Sequence, residues 1–346
     1  MIFLDKNRLR FSFDEVHRNA DCEIEFQRTL RIPDDGNHYP LPPGLGRFPL
    51  RHLDDYSERL PVSWHPRGGV IAPMYQAEAL WINFRSPGSY PFAIKVGTGK
   101  CCAITGDAWC NQLNSDPQDY VVIPDQPWLD GYCVEKGVIR QFVAMPLGEG
   151  YTVEEQLAGE AEHGGIQLTV YPMKEERFEE LFSKRRDFEV HAHVESAAEL
   201  VLEDASMGLA PGGQMKQEIY EDSYGLDAWD QRQRHRCFIS LVNSAQWRAI
   251  TSERPPTQAP TARDYTRAGL PWFDYYGGDQ VALEATEKLA GVSSVSKLGS
   301  TKGNQPLPEH DSLTIDPTVV KLGRPRRKQT GARGDRFSDE IQRTSR

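Results

Sequence analysis

The densest collection of side chains able to do chemistry lies in residues 127–165, where Trp128, Asp130, Arg140, Gln141, Glu154, Glu155, Glu162 and His163 are framed by Gly148, Gly150, Gly164 and Gly165. Polar, glycine-bounded loops on a rigid sheet are where binding and catalytic groups concentrate. Asp130 and Glu162 supply negative charge, Trp128 an aromatic wall for stacking or for a cation, and His163 a group that exchanges protons near neutrality. Residues 127–130 precede and residues 148–165 follow an expected hairpin over 132–145, so an antiparallel pair would bring both loops to one end of the sheet. Such a site favours a cationic or polyhydroxylated ligand over a phosphate. Each group also has a plain structural use: Glu155 as a helix cap, Arg140 in an ion pair, His163 in an exposed turn.

Other constellations are thinner. His191-Ala-His193-Val-Glu195 would put two imidazoles and a carboxylate on one side of a strand, a spacing that iron and zinc sites use. It resembles the first cupin motif in part, but the acid expected next falls on Ser196 or Ala197, and the glycine-rich second motif with its third His is absent. The solvent face of an edge strand explains these residues as well. Cys101, Cys102 and Cys110 lack CxxC spacing, and neighbouring strand residues point to opposite faces, so neither metal nor cofactor is expected. The run Gly208-Leu-Ala-Pro-Gly-Gly213 lacks the Lys-Ser/Thr of a phosphate loop and the G-x-G-x-x-G spacing; it reads as a turn, or as a nest of amides for an anion.

The elements expected to position these groups are mostly strands. Leu9, Phe11 and Phe13 alternate with polar residues, as do Cys22, Ile24 and Phe26 with Glu23, Glu25 and Gln27, which predicts a sheet with one wet face. Residues 33–66 are too Pro-rich for ladder bonding and read as an ordered loop draped over the body. Short apolar runs with Gly-bearing breaks continue the strands over 77–84, 91–96, 101–105, 120–123, 132–134, 138–145 and 166–171. Thr152-Val-Glu-Glu155 fits a capping box, and Phe178, Leu181 and Phe182 predict a helix within 172–186. Beyond it, strands are expected near 189–194, 214–220 and 236–242, with short helices at 245–251, 261–268 and 280–289. The fold class is α+β, strand-rich and mainly antiparallel. Residues 1–294 read as one globular domain that could divide near 172, and residues 295–346 as a disordered, basic tail.

Composition bounds the function. With 50 Asp and Glu against 40 Lys and Arg in 346 residues, the net charge of −10 disfavours general affinity for nucleic acid or anionic membranes. Gly (29) and Pro (24) are frequent enough to exclude coiled coils and repeats of long helices. No run approaches a membrane span, residues 1–10 mix charge with hydrophobe, and six cysteines are sparse, so a cytoplasmic protein with reduced thiols is expected. Residues 318–346 differ, holding nine Lys or Arg and three acids. Lys321-Leu-Gly-Arg-Pro-Arg-Arg-Lys328 resembles the Gly-Arg-Pro core of AT-hooks, which would make Arg324, Arg326 and Arg327 candidates for the minor groove, though Leu322 stands where a hook carries a base; a solvated basic tail is the other reading.

The phrases PPGLGRFPLRH (42–52), PMYQAEALW (73–81), QPWLDG (126–131), IRQFVAMPLG (139–148), GYTVEEQLAGEAEHGG (150–165) and MGLAPGGQMKQ (207–217) resemble an uncharacterised family of bacterial and fungal soluble proteins. The resemblance spans roughly residues 25–290 and implies one continuous folded unit, with no activity attached. The expected function is a binding or interaction protein for an unknown small molecule or protein. An enzyme acting on a small polar or cationic substrate through the 127–165 loops is the alternative, and a DNA-associated protein acting through its tail the third.

Overall fold

The computed structural model describes residues 1–182, 206–276, 280–305, 310–315 and 319–323. The strands that matter below are β1 (Ile2–Asp5), β2 (Arg8–Ser12), β3 (Asp21–Thr29), β4 (Val70–Met74), β5 (Ala79–Arg85), β6 (Phe92–Thr98), β7 (Val121–Ile123), β8 (Gly131–Glu135), β9 (Val138–Pro146), β10 (Ile166–Pro172), β11 (Ser206–Lys216), β12 (His235–Asn243), β13 (Trp272–Tyr276) and β14 (Val319–Gly323). The architecture is α+β, strand-rich and mainly antiparallel.

The sheet forks along β12. Its first half, to Ile239, pairs with β10, which continues to β6 and β7. Leu241 and Val242 pair instead with β11, which continues through β9, β5, β3 and β2 to β1. The opposite edge of β12 carries β4 in parallel. The two arms meet across the interior, where the Tyr132 hydroxyl on β8 lies 2.9 Å from Thr98 Oγ1 on β6 and donates to Leu209 O on β11 at 3.1 Å. Alternation explains the filling: Leu9, Phe11, Phe13, Cys22, Ile24 and Phe26 are all buried in the main hydrophobic cluster, which runs from Leu9 to Val292 and so crosses residue 172.

Several expectations change. The face carrying Glu23, Glu25 and Gln27 is not wet: Glu25 is 3% exposed, paired with Arg8 at 2.7 Å and Arg47 at 3.1 Å, because the Pro-rich segment sends residues 44–47 back against β3. The glycine-rich run at 208–213 is not a turn but the middle of β11, where glycine permits close approach. A Cβ at Gly213 would press on the Pro33 carbonyl oxygen, and one at Gly212 would lie 2.5 Å from Val143 Cγ2. Residues 295–301, expected to be disordered, form a helix capped by Ser294, with Val295 buried, and Val319–Gly323 pairs in parallel with β13. The helix expected over 280–289 shrinks to Glu287–Ala290.

Other helices match. Val153–Ala158 carries the capping box of Thr152 and Glu155, Glu175–Phe182 packs Phe178 on Tyr90, and Ser244–Thr251 buries Trp247. Among the described residues no helix is long and apolar enough to cross a membrane. All six cysteines are free, five of them buried and Cys110 exposed.

Candidate functional site

Five stretches of chain (38–41, 126–128, 137–138, 216–218 and 274–275) line a cavity of about 310 Å³ on three sides. Residues 126–128 form one side. The Gln126 amide donates to Trp128 O at 3.0 Å and Glu218 O at 3.2 Å and accepts from Tyr220 N at 3.1 Å, tying this segment to residues 218–220. The β8–β9 turn forms the second, where Gln217 N donates to Gly137 O at 3.2 Å. The third comprises His38, Leu41, Asp274 and Tyr275, with β13 held by reciprocal backbone bonds between Leu41 and Phe273 of 2.8 and 3.0 Å. Trp128 and Tyr275 meet edge to face and line the cavity together, their centroids 4.7 Å apart. Lys216, Glu218 and Asp274 are its charged residues, giving one base against two acids.

Asp130 lies directly behind this wall. Its side chain is buried; Gln217 Nε2 donates to Oδ2 at 2.6 Å while Asp130 N donates to Gln217 Oε1 at 3.0 Å, so the amide and the aspartate clamp each other. Burial pushes the carboxyl up to about 7, opposed by hydrogen bonding from the Gln217 and Trp128 side chains. Among the described residues no charged group acts on it. A carboxyl poised near neutrality beside a cavity is the signature that functional sites show more often than structural ones.

The other expected residues lie elsewhere. Glu162 is exposed, and Arg67 donates to the carbonyls of Glu162 and His163 at 3.0 and 2.7 Å. Glu154 is buried, accepts from Gly164 N at 2.8 Å and sets Oε1 3.3 Å from His163 Nδ1, although neither of those two atoms makes a well-directed hydrogen bond. The imidazole is pushed below its usual value by burial, then by Lys100 and Arg67. Glu155 is consumed as a cap, accepting from Gly148 N, Gly150 N and Thr152 N at 2.9, 2.7 and 3.0 Å. Gln141 is fully buried, bonded to Ile32 N and Leu30 O, and Arg140 donates to Gly212 O while standing 3.5 Å from Asp34.

Trp128 and Asp130 therefore come together, and Glu162 and His163 do not join them. The reason is strand length. Asp130 O accepts from Phe142 N partway along β9, whereas Gly165 N donates to Met207 O, opposite Pro146 and off the other edge of β9. Four residues of strand separate these levels, about 13 Å. The hairpin's second strand outruns its first, and β5 takes over as its partner at Phe142 and Val143.

The sequence reading did not pick out Gln217, His38, Asp274 or Tyr275. Gln217 lies four residues after the glycine-rich run, and Trp272–Tyr276 (WFDYY) is the most aromatic stretch of the chain, a signal that could have marked a wall. His191, His193 and Glu195, like Arg324, Arg326 and Arg327, lie outside the described residues. Among those described, no group of three His, Cys, Asp or Glu side chains is placed to hold a metal ion. Comparison with known protein families, with curated proteins and with solved structures finds no match to the chain.

Proposed function

We propose that this protein binds a small molecule in the cavity lined by the Trp128–Tyr275 pair. One observation carries the reading: a concave, aromatic-walled space of about 310 Å³ is fixed by hydrogen bonds on each side and backed by a buried carboxyl poised near neutrality. The volume matches the lower end of small-ligand sites, at roughly 300 Å³. The mixture of ring faces with Gln217, His38, Glu218 and Asp274 suits a polar ligand with one flat or apolar side. Six unpaired thiols support action in the reducing cytoplasm.

The test is titration of the full chain with a panel of small cations, polyols and sugars, followed by indole fluorescence and calorimetry. Trp128→Ala should weaken any ligand bound here by about tenfold, the scale of one lost stacking or cation–π contact. A ligand whose affinity ignores both Trp128→Ala and Tyr275→Ala would place binding elsewhere.

An enzyme is the second reading, favoured by the buried Glu154 carboxylate beside the half-exposed His163. A carboxylate adjacent to an imidazole is an arrangement used for proton transfer. Turnover of any substrate that survives His163→Asn unchanged would remove it.

A further inference from the structure

We propose that the cavity takes a small organic cation whose charge is balanced by Asp130, which gives up a proton as the ligand enters. The inference rests on the reading of the cavity as a ligand site and adds the ligand's class and the proton it displaces.

Three observations converge on it. First, the cavity is lined by an aromatic pair, Trp128 and Tyr275, and aromatic rings hold guanidinium, amidinium and quaternary ammonium groups through their negative face potential. Second, the charges on the cavity favour a cation: Glu218 and Asp274 oppose the single Lys216. Next to the lining residue Gly137, Lys136 is itself paired with Glu284 and acted on by Glu221 and Glu218. Third, among the described residues Asp130 has no basic partner. What packs against it is neutral: Gln217 after β11, Trp128 and Leu129 before it, and Gln141 and Phe142 on β9. A buried carboxyl without a counter-charge keeps its proton, and it surrenders that proton when a positive charge arrives nearby.

Asp130 touches the cavity through two side chains, each a lining residue and each a hydrogen-bond partner of its carboxyl: Gln217 and Trp128. Both donations favour the ionised carboxylate, so the proton can leave without leaving either donor unpaired. It passes to the buffer. A unit positive charge about 6 Å from the carboxylate favours ionisation by roughly a hundredfold at an effective dielectric near 20. Affinity should then rise about tenfold between pH 6 and pH 8, with most of one proton released per cation near pH 6. A phosphate or carboxylate ligand would meet the opposite effect, and a neutral polyol would gain nothing from it.

Benzamidine and benzamide, nearly identical in shape and different in charge, test this by calorimetry on the full chain at pH 6 and pH 8, in two buffers of different ionisation enthalpy. The expected result is benzamidine binding at least tenfold tighter than benzamide, with buffer-dependent heat that reports proton release at pH 6. His38, an imidazole on the same cavity, is the competing source of a proton. Asp130→Asn should abolish the release and flatten the pH dependence; proton release that persists in Asp130→Asn and is lost in His38→Asn would overturn the role of Asp130.

Equal binding of the two probes would overturn the cation while leaving the cavity as a ligand site. Benzamidine binding without proton release in the wild-type chain, a readout that needs no variant, would overturn the role of Asp130. Binding of neither probe, or binding indifferent to Trp128→Ala, would overturn the proposal together with the reading on which it rests.

Discussion

Replacing Asp130 by Asn tests whether the carboxyl behind the cavity is held neutral by burial, through stability alone and with no ligand. Asp130 is 3% exposed, and burial raises its carboxyl to about 7 against the hydrogen bonds of Gln217 and Trp128. In an unfolded chain an aspartate titrates near ~3.9. Between these values the unfolded chain has given up a proton that the folded protein keeps. The stability that this proton contributes is therefore fully present below about pH 4 and is lost as pH rises through 7. Carrying both titrations from pH 5 to pH 8, the wild type loses about 2–3 kcal/mol through this one group, and a side chain that cannot ionise loses none. The Asn amide also gives up one acceptor, a cost of about 1 kcal/mol at every pH, so the readout is the change in the gap and not its size. Urea unfolding followed by tryptophan fluorescence at pH 5, 6.5 and 8 should show Asp130→Asn gaining about 2–3 kcal/mol on the wild type over that range. Parallel pH profiles within about 0.5 kcal/mol would refute the assignment of a neutral, buried carboxyl.

Gly213→Ala should destabilise by about 1–3 kcal/mol or more, because the added methyl meets the Pro33 carbonyl oxygen, a backbone atom with nowhere to turn; a urea midpoint equal to wild type would contradict that close approach. Glu78→Ala should cost about 3–5 kcal/mol, since it strands the buried Arg28 guanidinium that Glu78 Oε1 holds at 2.8 Å, while Thr152→Ala should cost only about 1 kcal/mol by removing a helix cap. Deleting residues 324–346 should leave the midpoint of thermal unfolding within about 1 °C, whereas deletion from 318 strips β14 from β13, should lower it by several degrees and should weaken any ligand that contacts Tyr275.

The strands were legible where alternation was clean. Leu9, Phe11, Phe13, Cys22, Ile24 and Phe26 announce their buried faces by period alone, and Thr152 with Glu155 announces its helix by a local bond that needs nothing distant. What failed was whatever depends on a partner far along the chain. Glu25 reads as solvent-facing until Arg47 is brought beside it, and Gly208 to Gly213 reads as a turn until β9 and Pro33 press close enough to demand glycine. The cavity has the same character. Trp128 and Asp130 could be singled out by residue type, but Tyr275 and Gln217 reach them only through Leu41 pairing with Phe273 and Gln217 bonding to Gly137. Those contacts span more than two hundred residues of sequence in one case and eighty in the other, and no local pattern encodes them.

The residues that looked most chemical separate according to whether the fold supplies them a partner. Glu155 is an acid in a glycine-rich loop, yet three backbone amides and the Thr152 hydroxyl satisfy its oxygens, which leaves it nothing with which to hold a ligand. Gln141 spends its amide on Ile32 and Leu30, and Arg140 is engaged by Gly212 and Asp34. Asp130 is the exception. It is buried more deeply than Glu155 or Arg140, but the groups the fold supplies are a neutral amide and an indole, enough to fix its position and too little to fix its charge. A carboxyl placed so, against a cavity whose own acids outnumber its base, has its charge completed only by something that enters from outside. This difference, rather than the density of polar residues, is why the proposed site centres on residues 127–130 of the 127–165 region.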